Sequence, residues 1–187
     1  MIAGCCLNGY EDVRENVVPL FDFITGSKSP APGTTKQPAA TLRTALLALN
    51  RDTAPWQVRE GAAENVDLVA EWRIVDARWY EIFAKASLSK VFKVLMKFDE
   101  AKGEIRSVDQ EFTVEWRAGV PSLSASAEAF RGQKVELSFG TAYGFTETLA
   151  PGQIYNYRFA TKELKEPLQD VAAKSGWGWK GVAFGKL

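Results

Sequence analysis

Five carboxylates on two alternating segments are the residues here whose type and spacing could do chemistry. Asp109, Glu111 and Glu115 recur at even spacing along a segment that reads as a strand, so they share one face; Asp67 and Glu71 share a face of another. Two such groups held a few ångströms apart act as general acid and base, or hold a hard cation such as Ca²⁺ or Mg²⁺. The pair on offer is Glu111 with Asp67 or Glu71, which would serve a hydrolase or isomerase, with or without a divalent ion. The plain reading of the same residues is a solvated outer face, screened by Arg73, Lys93, Lys97 and Arg106, as binary patterning requires of a half-exposed sheet. On that reading no residue is catalytic, and no metal ligand or cofactor is expected.

The chain has no histidine among its 187 residues. A Ser-His-Asp triad, a Cys-His pair and a His-bearing zinc site are therefore excluded. Asp99-Glu-Ala-Lys-Gly-Glu104 lacks the length and alternating ligands of a calcium loop and reads as a turn. Glycines 176, 178, 181 and 185 do not form the phosphate-binding G-x-x-x-x-G-K-[ST] pattern.

The aromatic residues are the other candidate set. Trp72, Trp79, Trp116, Trp177 and Trp179, with Tyr155 and Tyr157, are enough to line a pocket or build an interface, although core packing explains them as well. Lys174, Lys180 and Lys186 beside Trp177 and Trp179 are too few to specify a nucleic acid or membrane surface.

Several elements must position these groups. Leu42, Ala45, Leu46 and Leu49 repeat at helical spacing, with Pro38 suited to the start and Asn50 to the end. A strand spans Val66–Val75, and a helix capped by Asp76 covers residues 77–86. Phe92–Phe98 and Ser107–Trp116 alternate on either side of the Asp99–Gly103 turn and predict a β-hairpin. Further strands are expected at Ser122–Ala129, Gln133–Phe139, Ala142–Glu147 and Gln153–Phe159, divided by turn signals at Arg131-Gly132, Gly140 and Pro151-Gly152. Leu164, Leu168 and Val171 mark a short helix with Pro167 in its first turn and Gly176 beyond its end; the glycine-spaced Trp177–Leu187 suits a last strand. The expected fold is α+β: a mostly antiparallel sheet or barrel with two or three short helices, one near the C-terminus.

Residues 1–38 read as an N-terminal arm followed by a flexible Pro/Gly/Ser/Thr linker, and 39–187 as one β-rich domain. Val17, Val18, Leu20, Phe21, Phe23 and Ile24 make the arm apolar enough to dock on the domain or on another subunit. Basic and acidic residues balance at 23 each; residues 1–60 hold 6 of each, 61–118 hold 9 basic and 11 acidic, and 119–187 hold 8 and 6. No segment has the basic excess of a nucleic-acid binder. No apolar run of about 18 residues exists, so no membrane-spanning helix is expected. Adjacent Cys5 and Cys6 read as two free thiols of a cytoplasmic protein rather than a vicinal disulfide.

The runs Asp67-Leu-Val-Ala-Glu-Trp-Arg-Ile-Val-Asp-Ala77, Trp79-Tyr-Glu-Ile-Phe-Ala-Lys85, Val114-Glu-Trp-Arg-Ala-Gly119, Tyr155-Asn-Tyr-Arg-Phe159 and Gly181-Val-Ala-Phe-Gly-Lys-Leu187 resemble an uncharacterised bacterial protein family over about residues 55–187. That resemblance implies a bacterial, non-secreted setting and transfers no activity. A fainter likeness is to the tubby-like and LURP-one-like barrels, which surround a C-terminal helix with antiparallel strands; the one-sided helix around Leu164–Ala173, with Lys165, Glu166, Gln169 and Asp170, departs from that pattern. The functional expectation is a non-enzymatic binding or assembly module that engages a protein partner or a small apolar ligand through aromatic surface.

Overall fold

The elements, in chain order, are α1 (Ala39–Leu47), β1 (Trp56–Glu60), a 3₁₀ turn (Ala62–Glu64), β2 (Leu68–Trp72), a second 3₁₀ turn (Ala77–Trp79) running into α2 (Tyr80–Lys85), β3 (Lys90–Asp99), β4 (Glu104–Arg117), β5 (Val120–Ser124), β6 (Arg131–Gly132), β7 (Phe145–Ala150), β8 (Gln153–Tyr157), α3 (Thr161–Lys174) and β9 (Gly178–Gly181). This is a computed structural model, and it describes residues 26–85, 88–124, 131–132, 145–150, 153–157, 161–182 and 187. Among the described residues the fold is α+β: an antiparallel sheet curled into a half-barrel, with three helices, one of them near the C-terminus.

The hairpin forms as its alternation requires. β3 and β4 pair antiparallel from Lys90↔Thr113 to Asp99↔Glu104, and the Asp99 carboxylate closes the turn by accepting the Lys102 amide. β2 and then β1 add to the free edge of β3. The other edge of β4 is shared by three strands: β9 pairs parallel with Glu104–Ser107, β6 meets Asp109 and Gln110, and β5 pairs with Thr113–Arg117. β4 is therefore hydrogen-bonded on both sides for most of its length.

One face of the sheet carries Trp56, Val58, Leu68, Ala70, Trp72, Phe92, Val94, Met96, Ile105 and Trp179; Leu42 and Leu46 of α1 and Leu164, Leu168 and Ala172 of α3 join them in one core. Each fully buried Leu or Phe contributes roughly 1.5–3 kcal/mol, so these two helices and the sheet stabilise one another. α1 begins after Pro38 but ends at Leu47 with Ala48 at its cap, short of the expected Asn50, which has another role. Its side chain donates to the Val58 carbonyl and accepts the Val58 amide, both at 2.7 Å, and so ties the helix to the edge strand β1. Asp76 caps the turn into α2 by accepting the Arg78 amide.

Three expectations are corrected. Pro167 lies within α3, which begins at Thr161, rather than in its first turn. Proline removes only the bond to the Glu163 carbonyl, and the burial of Leu164 and Leu168 on either side carries the helix through. Arg131-Gly132, read as a turn, is the short strand β6. Residues 26–38, read as a flexible linker, follow a fixed course over α3 and β9: Lys28 exchanges backbone hydrogen bonds with Trp179, Ala31 bonds Ala173, and Gln37 bonds Ser175. The Trp177 indole N–H donates to the Gln37 carbonyl, and Lys36 lies 4.8 Å from the Trp177 ring centre. Composition argued for flexibility because the segment has few large apolar groups; its backbone is instead held by partners distant in sequence.

Of the other expected strands, Ser122–Ala129 is described as far as Ser124, and Gln133–Phe139 with Gly140 and Pro151-Gly152 lies outside the described residues. The last two appear as β7 and β8, paired with one another. α3 ends as expected at Gly176, whose amide bonds Ala173 while that of Trp177 bonds Ala172, a Schellman closure. Gly176 has φ +73°, and a Cβ there would fall 2.7 Å from the Lys36 backbone. Gly33 has φ +72° with open space around it. Gly33→Ala is expected to lose about 1 kcal/mol from backbone strain alone, and Gly176→Ala distinctly more; equal losses in urea denaturation would show that the contact with Lys36 contributes nothing.

Candidate functional site

Ser107, Asp109 and Glu111 follow Ile105 on the helix-covered face of β4, and all three are buried. This overturns the solvated face expected for them. Val108, between them on the opposite face, is buried too, so β4 is covered on both sides at its centre. A carboxylate there needs a cation. α3 supplies it: Lys165 Nζ lies 2.6 Å from Asp109 Oδ2, with both side chains shielded from water. Glu111 pairs with Lys90 at 2.9 Å, where Lys90 reaches half into solvent, and Glu163 is buried on the same helix. Glu115, farther along, is exposed as expected and pairs with Arg117.

Lys165 was legible as an inward residue, since it stands at i with Leu168 at i+3 and Ala172 at i+7. Its charge was read as a solvent marker; only the facing Asp109 makes it an inward group.

The carboxylate pair proposed from sequence does not assemble. Glu71 is in register with Lys93 and Glu111 with Phe92, so the two carboxylates project from opposite faces of the sheet. Glu71 belongs to an ionic network, accepting from Arg59 Nε at 2.9 Å and lying 3.0 Å from Lys93, while Arg59 reaches Glu64 at 2.5 Å. Burial pushes the Glu71 carboxyl up, but hydrogen bonds from Arg59 and Lys93 outweigh it and hold it below the usual glutamate range. Glu64 is lowered by its bond to Arg59, and Arg59 is raised by Glu64 and Glu71. Asp67 is occupied elsewhere, accepting the Phe98 amide at 2.8 Å and Arg43 of α1 at 3.2 Å.

Among the tryptophans nominated as a binding set, Trp72, Trp79, Trp177 and Trp179 are buried and belong to the core. Trp116 is half-buried and donates its indole N–H to the Leu88 carbonyl at 2.8 Å. Tyr155 and Tyr157 lie on β8, opposite Glu147 and Phe145 of β7. Cys5 and Cys6 lie outside the described residues.

Trp72 also reaches a cleft. β2 and β3 are paired only as far as Glu71↔Lys93, while β3 continues back to Lys90. Where they part lies an opening of about 130 Å³ lined by Trp72, Ile74, Phe92 and Leu123, with Glu71, Lys93 and Asp76 around it. Val75 stands at its rim 62% exposed. Asp76 is held below the usual aspartate range by its bonds from Arg78.

Among the described residues no group of three His, Cys, Asp or Glu is arranged to hold a metal, and no helix is long and apolar enough to cross a membrane. Comparison with protein-family models, with curated proteins and with solved structures finds no match.

Lys165→Met is expected to cost about 3–5 kcal/mol, because it strands a buried carboxylate, and Asp109→Leu added to it should recover most of that loss. Additive losses in guanidinium unfolding would show that the pair is not coupled. The depressed Glu71 stabilises the fold above the ordinary glutamate pKa and loses that contribution as pH falls through its lower folded value. Glu71→Gln should therefore be less stable than the parent at pH 7, with the gap closing below about pH 4; an unchanged gap at pH 3 would remove Glu71 from the network's energetics.

Proposed function

We propose that this chain is a non-enzymatic binding module that engages a protein partner at the aromatic-floored cleft between β2 and β3. The observation that supports this is the combination of an apolar opening over Trp72 and Phe92 with an exposed Val75 at its rim. A volume of about 130 Å³ suits one apolar side chain. A free ligand of that size would leave Val75 in water, whereas a partner surface that inserts a side chain covers the rim as well. Glu71, Lys93, Arg73 and Asp76 supply both signs of charge around the opening, the polar border of an interface centre. Carboxylate catalysis is the weaker reading, because Glu71 and Glu111 are on opposite faces and each is neutralised by basic neighbours. The cytoplasmic setting expected from the cysteine content belongs to the same proposal.

The test uses capped amino acids as mimics of the inserted side chain. Titration with N-acetyl-leucinamide and N-acetyl-phenylalaninamide should shift the NMR signals of the Trp72 indole and the Val75 and Leu123 methyls, and Leu123→Asp should abolish those shifts. Absence of shifts in the parent protein, or shifts spread evenly over its surface, would refute the cleft as a socket.

A further inference from the structure

The sheet face opposite the helices carries its charges in rows across the strands, and one row sets three cations side by side. Lys97 of β3 is in register with Arg106 of β4, and Arg106 with Lys180 of β9. Register partners project from the same side of a sheet. The three cations therefore stand side by side on adjacent strands, spanning about 10 Å at the usual strand spacing. Lys97 and Lys180 are exposed and Arg106 is half-exposed. None of the three takes part in any of the side-chain hydrogen bonds or ion pairs among the described residues. The carboxylate just before β2, Asp67, is turned to Arg43 and to the Phe98 amide. Like charges directly opposite one another destabilise a sheet. The row that holds Glu71 and Lys93 carries both signs, and the row next to the three cations sets Asp99 opposite Glu104, both of which are paired to Lys102.

Lys180 also borders an open hollow of about 300 Å³ at the β9 edge, lined by Ser27, Ser29, Gly103 and Gly178 among others. Lys28 and Lys102 stand at the same hollow, the first paired with Asp170 and the second with Asp99 and Glu104. Glu104 bounds the site on the hairpin side. The favourable ground for an anion is thus Lys180 and Arg106, with Lys97 beyond.

We infer that the Lys97–Arg106–Lys180 row, together with the hollow beside Lys180, is a binding site for a soluble phosphate-bearing anion with several charges. Arg106 provides the planar donor fork suited to phosphate oxygens, and the flanking lysines add point charges. An oligophosphate concentrates several charges within one strand spacing and so neutralises the whole row. Carboxylates on one face of an extended peptide recur only every second residue, about 7 Å apart, and meet fewer of the three.

Calorimetric titration of the full chain with tripolyphosphate at low salt tests this. Binding is expected to weaken as salt rises, and Arg106→Gln and Lys180→Gln should each weaken it about tenfold, the equivalent of one charge-assisted hydrogen bond. Lys174→Gln, exposed on α3 outside the row, should leave it unchanged. Among the described residues these side chains take part in no hydrogen bond or ion pair, and circular dichroism checks that the variants fold. No heat with the parent chain, equal affinity for all three variants, or binding to anionic phospholipid vesicles without binding to tripolyphosphate would each overturn the inference.

Discussion

The centre of β4 sets the terms for the rest of the fold. It is hydrogen-bonded along both edges and covered on both faces, so neither side of the strand at Val108 and Asp109 meets water. A carboxylate in that position is tolerated only with a cation at hydrogen-bonding distance, and Lys165 is that cation. The requirement reaches beyond the pair. α3 must present Lys165 to β4 and at the same time set Leu164, Leu168 and Ala172 into the core, which leaves the helix a single rotation about its axis. A helix held by apolar contacts alone could slip by a turn at little cost; a buried ion pair makes the slipped arrangement expensive.

That fixed helix carries the C-terminal part of the fold with it. The Schellman closure at Gly176 turns the chain directly into β9, which joins β4 parallel to it. Residues 26–38 then lie over the junction, with Trp177 shielded beneath Gln37 and Lys36. Glycine at 176 is required twice over, by its positive φ and by the Lys36 backbone that passes where a Cβ would be.

Charge is distributed on the opposite face by rows rather than by segments. Glu71 is compensated by Lys93 in its own row and by Arg59 from the adjacent one, and its lowered pKa reflects that. Lys97, Arg106 and Lys180 stand together with no ion pair among the described residues, although the chain as a whole is neutral. A zero net charge is thus compatible with a concentrated local potential, since a sheet gathers residues more than 80 positions apart, Lys97 and Lys180 among them, into a line about 10 Å long.

Much of the fold was legible in the residues themselves. The period of two from Phe92 to Trp116 determined the hairpin and which residues share a face; the helical repeat of Leu42, Ala45 and Leu46 determined α1; Gly176 determined where α3 ends. These are local consequences of pleat, pitch and permitted φ. Whether a face is wet or dry was decided by tertiary structure, because burial depends on what covers the strand: Ser107, Asp109 and Glu111 look like a surface until α3 is laid over them. The course of residues 26–38, the separation of Glu71 from Glu111, the cleft beside Trp72 and the meeting of Lys180 with Arg106 and Lys97 likewise follow from pairings between distant segments. Sequence spacing specifies direction along one element, and proximity between elements is specified only when the whole sheet closes.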